Sequence, residues 1–144
     1  MKSTPNSEID VAGTSGRPLY LKLGIKTDIS GVLIDAPENY LALLGPGAPD
    51  ISWKTEPFSG CAFAHLFCTD RNVLEKSLPQ ILERMDRSGM IWVSWPKKAS
   101  KVPTTVTEDV IREVALPLGL VDTKVCAVDS TWSGLKLVIR KELR

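Results

Sequence analysis

The sequence predicts an α/β three-layer sandwich: a mostly parallel sheet with helices on both faces, finishing in an antiparallel hairpin. Three observations carry this. Residues 31–35 (GVLID), 61–68 (CAFAHLFC) and 90–95 (MIWVSW) are short apolar runs, as central strands buried on both faces should read. Between the second and third runs, Leu74, Leu78, Ile81, Leu82 and Met85 recur at helical spacing, one face of a 3.6-residue period. The last two apolar segments, 121–129 and 135–140, are separated only by Ser130-Thr131-Trp132-Ser133-Gly134, short enough for a hairpin. A strand, a helix and a second strand make a parallel crossover, which is right-handed in about 98% of cases.

Element by element, residues 18–23 (PLYLKL) read as a short helix, with Pro at its first position and Gly24 at its stop. The strand at 31–35 leads into a helix of about two turns over 38–44 (ENYLALL), closed by Gly45-Pro46-Gly47. Residues 51–54 form a short strand fenced by Pro49 and Pro57. After the strand at 61–68, Thr69 or Asp70 caps the long helix, Gly89 follows its last turn, and Pro79 marks a kink. The strand at 90–95 stops at Pro96, and a lysine-bearing loop runs to Thr105. Val110, Ile111, Val114, Ala115 and Leu118 form the next helical stripe, with Thr105 and Glu108 spaced as a capping box.

Length and composition bound what such a domain can be. The chain has 144 residues, 43% hydrophobic and 24% charged, as expected of one globular unit. Residues 1–16 hold little to bury and read as a disordered tail, leaving 17–144 as a single domain. Lys plus Arg number 18 against 17 acids, a formal net charge of +1, which disfavours a dedicated nucleic-acid binder. No apolar run approaches the ~20 residues of a membrane-spanning helix, so no membrane partner is expected. The 3 cysteines, Cys61, Cys68 and Cys126, are an odd number set in apolar stretches, which fits reduced thiols and a cytoplasmic location.

Two segments carry a resemblance. Trp92-Val93-Ser94-Trp95-Pro96-Lys97-Lys98, and after the next helix Val125-Cys126-Ala127-Val128-Asp129-Ser130-Thr131-Trp132-Ser133-Gly134-Leu135-Lys136, resemble a bacterial domain family of unknown function. That family looks like a shortened class I, S-adenosylmethionine-dependent methyltransferase, a Rossmann-like fold whose last strand enters the sheet antiparallel. The resemblance runs roughly from Pro18 to the C-terminus and implies architecture without a reaction. In active methyltransferases a glycine-rich turn after the first strand brings the backbone close to the cofactor. Here Asp35 matches an acid at that strand end, but Pro37, Asn39 and Leu41 stand where the glycines would be. Glycine is needed there because only a missing Cβ permits the close approach. Residues 55–60 also leave no room for the helix and third strand of a full methyltransferase.

Candidate chemistry follows from position. Cys61, His65 and Cys68 invite a metal, but on a regular strand Cys61 and His65 share one face and Cys68 takes the other. Buried thiols and a hydrogen-bonded core histidine are the expectation, with no metal. In open α/β sheets, ligands bind at the carboxyl ends of the strands. That edge should carry Asp35 and Glu38, then Ser94, Trp95, Lys97 and Lys98, with the Trp132 turn beside them. The lysines, with Lys101, could hold an anion, and Trp95 offers a stacking surface. The same groups could meet single-stranded RNA, against which the charge balance argues. The sequence therefore points to a non-catalytic methyltransferase-like module, without cofactor, that binds a small anionic molecule or a protein partner. The alternative is an S-adenosylmethionine-dependent methyltransferase with an atypical cofactor turn.

Overall fold

The computed structural model describes residues 16–144; the expected tail at 1–16 lies, up to residue 15, outside the described residues. Six strands form one sheet: β1 (Gly31–Ile34), β2 (Trp53–Lys54), β3 (Cys61–Phe67), β4 (Met85–Pro96), β5 (Leu120–Ala127) and β6 (Trp132–Ile139). Their spatial order is β2-β1-β3-β4-β6-β5. The first four run parallel, and β6 enters antiparallel between β4 and β5. The expected architecture, including the terminal hairpin, is the observed one.

The helices α1 (Leu19–Leu23), α2 (Tyr40–Leu43), α3 (Arg71–Arg84) and α4 (Glu108–Ala115) divide between the two faces. On one, Leu74, Leu78 and Ile81 of α3 and Ile111 and Ala115 of α4 pack on Ala64, Leu66, Ile91, Val93, Leu135 and Leu137. On the other, Leu19 and Leu23 of α1 and Tyr40 of α2 cover Phe63, Phe67 and Trp92. Strand alternation explains the division, since successive side chains of β3 and β4 take opposite faces. One layer is aliphatic and the other aromatic. Burying a large apolar side chain contributes about 1.5–3 kcal/mol, so both layers stabilise the sheet substantially. Trp92 also donates from Nε1 to the Leu23 carbonyl at 2.9 Å, satisfying its polar atom and seating the end of α1.

Several boundaries differ from expectation, each for a physical reason. The α2 helix is a single turn, Tyr40–Leu43, because the chain from Pro37 is still in a turn closed by the Tyr40 amide on the Pro37 carbonyl. The α3 helix runs through Pro79 and stops at Arg84, not near Gly89. Met85 already pairs with Cys61 and Met90 with Phe63, so the residues between them bulge from β4. The Asp86 carboxylate accepts from the Ser88 amide at 2.8 Å and holds that bulge. The same irregularity turns Cys61 to the aliphatic face with Ala64 and Cys68, and away from the His65 side where regular alternation puts it. Thr107, not Thr105, caps α4 by accepting from the Val110 amide. Thr105 instead accepts from the Arg71 amide at 2.7 Å, tying the lysine loop to the start of α3.

The hairpin closes more tightly than expected. Trp132 opens β6, and Gly134 lies inside that strand opposite Ser94 and Cys126. A Cβ at Gly134 would sit 3.1 Å from the Trp92 ring and 3.2 Å from Ser94 Oγ, so this glycine admits a close approach and makes no turn. At the far edge, β5 carries a register shift between Asp122 and Lys124, which interrupts the ladder of an exposed strand as native edges commonly do.

Gly31 gives a direct test of packing at the opposite edge. Its Cβ would fall 2.4 Å from the Trp53 ring, which lies over β1 from β2. Replacing Gly31 by Ala should cost about 1–3 kcal/mol in urea denaturation, as overpacking does. The loss should be largely relieved when Trp53 is also replaced by Leu.

Candidate functional site

The centre of the aromatic layer is polar. His65 lies on β3 opposite Trp92, Ser94 lies on β4 opposite Phe67, and both are fully buried. His65 Nε2 is 2.7 Å from Ser94 Oγ, and its Nδ1 is 2.8 Å from the Tyr40 hydroxyl at the start of α2. Its ring stacks on Phe67 at 4.3 Å between centroids, while Tyr40 meets it edge-on at 5.3 Å. Burial pushes the imidazole down to about 3, so it is neutral and uses one nitrogen as donor and the other as acceptor. Burial, then the Cys126 thiol, raises the Tyr40 hydroxyl well above the ordinary phenol range. A serine, a histidine and a tyrosine in line have the connectivity of a nucleophile, a base and an orienting group. Ser94 Oγ, however, is enclosed by Trp92, Gly134 and the sheet, and a base this far below neutrality takes up a proton poorly. The chain of bonds is a neutral polar core that ties α2 to β3 and β4.

The carboxyl edge lies above it. Asp35 ends β1 as an exposed residue in the left-handed region, φ 57°. Asp35 follows Ile34, which pairs with Leu66 of β3, and Asp70 caps α3 just past that strand; burial first, then these two charges, pushes the Cys68 thiol up to about 12. Glu38 is exposed in the turn between β1 and α2. Residues 35–39 contain no glycine, and the Tyr40 amide, at the head of α2, donates to the Pro37 carbonyl at 3.0 Å.

On the other half of the edge, the Lys97 amide donates to the Thr131 carbonyl at 2.7 Å, and Pro96 pairs with Trp132. The Asp129 carboxylate accepts from the amides of Thr131 at 2.8 Å and Trp132 at 2.7 Å, fixing the hairpin turn. Trp132 packs edge-on against Phe67 at 5.1 Å and is half-buried. Lys98 begins an exposed 3-10 turn, Lys98–Ser100.

The expected rim is therefore split. Lys97, Lys98 and Trp132 lie at one end of the sheet. Ser94 is withdrawn into the core, and Trp95 is half-buried against the aliphatic layer, across the sheet from Trp132. The sequence marked His65 as a hydrogen-bonded core residue but named neither partner. The signal was present: Ser94 is the one polar residue in MIWVSW, and a buried hydroxyl needs a partner. Among the described residues no group of three or more His, Cys, Asp or Glu could hold a metal ion, and no helix is long and apolar enough to cross a membrane.

This strand order, with its antiparallel sixth strand, defines a methyltransferase-like α/β domain. Solved structures similar in fold include a candidate methyltransferase from Thermoplasma acidophilum, with a TM-score of 0.54 at 7% identity over 91% of this chain and 77% of that one. LepI in complex with SAM matches with a TM-score of 0.52 at 14% identity over 85% of this chain, which spans only 39% of LepI. A ribosomal protein L11 methylase from Lactobacillus delbrueckii subsp. bulgaricus gives 0.47 at 13% identity over 88% of this chain and 72% of that one. At such identities the likeness is one of fold. No curated protein sequence matches the chain. The chain belongs to the family described as "Protein of unknown function (DUF3052)", which it matches over residues 67–141, more than half its length.

The buried histidine gives the molecule an acid-sensitive core. With its pKa lowered from 6.5 to about 3 in the folded state, the unfolded chain binds more protons between those values. Stability should be full above pH 6.5 and fall as pH drops toward 3, by at most about 1.4 kcal/mol per pH unit from this group. Urea midpoints measured across that window should lose this slope in His65→Gln. At neutral pH, Tyr40→Phe should cost about 1–3 kcal/mol by leaving His65 Nδ1 unpaired in the core.

Proposed function

We propose that this chain is a non-catalytic methyltransferase-like module that binds an anionic ligand at the carboxyl edge of its sheet. The observation that carries the reading is the contrast between the two halves of that edge. In the half where the fold's active members cradle S-adenosylmethionine, every residue from Asp35 to Asn39 bears a side chain. The amide at the head of α2 is bonded within the turn, and the Tyr40 ring is committed to His65. These residues do not fit a cofactor that must approach bare backbone. In the other half, the Lys97 amide is bonded to the Thr131 carbonyl at the hairpin turn that Asp129 fixes, and Lys98 follows, exposed, at the same end of the sheet. None of the ion pairs among the described residues uses Lys97, Lys98 or Lys101. Cations on an ordered edge suit a carboxylate or phosphate.

Calorimetric titration separates this reading from an active methyltransferase. S-adenosylmethionine and S-adenosylhomocysteine should give no heat at micromolar concentrations, whereas citrate or inorganic phosphate should raise the melting temperature, as a ligand selective for the native state does. Replacing Lys97 and Lys98 together by Ala should abolish that rise while changing stability by no more than about 0.5 kcal/mol. Clear micromolar binding of S-adenosylmethionine would overturn the proposal.

A further inference from the structure

We propose that the loop between β4 and α4 docks a second protein, capturing an extended acidic segment that carries an apolar side chain. The inference rests on the anion-binding reading above and names the kind of molecule that presents the anion.

The loop is irregular yet held along its whole length. At its start the Lys97 amide is bonded to Thr131, and Ser100 Oγ donates back to the Lys97 carbonyl at 2.6 Å. At its end the Thr69 carbonyl accepts from Thr104 Oγ1 at 2.7 Å and from the Thr105 amide at 2.9 Å. Val106 is fully buried in the aliphatic core and anchors the descent into α4. A loop so tied has little conformational freedom left to lose on binding, which favours recognition by a preformed surface.

What the loop presents is outward-facing. Lys98, Lys101, Val102 and Pro103 are all exposed, Val102 at 39%. Lys101 adopts φ 63°, a left-handed conformation that glycine accepts freely and that a lysine adopts at a cost in strain. The position therefore keeps a cation where the backbone alone favours glycine. A small anion would use the lysines and leave Val102 and Pro103 idle. A segment with carboxylates flanking an apolar residue would use both, pairing its charges with the lysines and covering the valine. A nucleic acid would use the charges but finds no aromatic ring on the exposed tip from Lys98 to Pro103.

The test uses the full chain labelled with nitrogen-15 and three probes: the peptide Glu-Glu-Leu-Glu-Glu, citrate and oligouridylate. The peptide should shift the amides of residues 98–103 and bind at least ~10-fold more tightly than citrate. Val102→Asp should weaken the peptide by ~10-fold or more and leave citrate unchanged, and Lys101→Gly, which suits the backbone, should weaken both. The amide spectrum of each variant verifies its fold. If the peptide binds no better than citrate, or Val102→Asp leaves its affinity unaltered, the docking proposal fails and the anion site survives. Absence of binding by peptide and citrate alike would remove both readings. Tighter binding of oligouridylate than of peptide would overturn the proposal in favour of nucleic acid.

Discussion

The arrangement of this domain turns on one buried imidazole. A neutral histidine in an apolar core must satisfy a donor and an acceptor at once, because each unpaired polar atom there costs about 1–3 kcal/mol. His65 does so by joining a hydroxyl from the next strand to one from a helix on the same face. Ser94 thereby fixes which face of β4 looks toward the aromatic layer, and Tyr40 fixes where α2 sits. Gly134 follows from the same constraint, since a side chain there would crowd Ser94 Oγ and the Trp92 ring. The surrounding rings, Phe63, Phe67 and Trp92, supply the apolar walls that keep the imidazole neutral, and Trp53 backs Phe63. A polar chain of this kind specifies one packing more than it adds net stability.

That constraint separates the two halves of the carboxyl edge. On the β1 side, the turn from Asp35 to Asn39 leads into a helix whose first residue is already fastened to the core. On the β4 side, the edge is free of the core network above Ser94 and is organised by the hairpin. Asp129 fixes the turn, Thr131 receives the Lys97 amide, and Thr69 receives the far end of the lysine loop. The family match over residues 67–141 takes in the whole of this second half and none of the first.

The strands, their parallel order and the final hairpin were legible because buried strands and amphipathic helices leave periodic patterns. What escaped were features decided by distant partners. Spacing points to Thr105, three residues before Glu108, and only the demand of the Arg71 amide assigns Thr105 elsewhere and leaves the cap to Thr107. The bulge in β4 was invisible because Asp86, Arg87, Ser88 and Gly89 read as the end of a helix. That bulge also reversed the face of Cys61. Gly134 looked like a turn residue, since nothing local shows that a tryptophan and a serine from another strand press against it. At the candidate site, the position of Lys97 beside Trp132 followed from topology, because parallel strands and the hairpin turn emerge together. The withdrawal of Ser94 did not, since it depends on which neighbour bonds its hydroxyl.

The same coupling sets a cost on any movement of the β1 half of the edge. Moving α2 away from the sheet draws the Tyr40 hydroxyl from His65 Nδ1. The cost is then an orphaned nitrogen in the core, on the order of 1–3 kcal/mol, together with the lost burial of a tyrosine ring that touches Trp53 and Phe67. Against a domain stability of roughly 5–15 kcal/mol that is a large fraction. The β4 half bears no such burden, because its lysines and the tip of its loop hang from backbone bonds and leave the core network untouched. Side chains there can change with little effect on folding, which is the property a recognition surface requires.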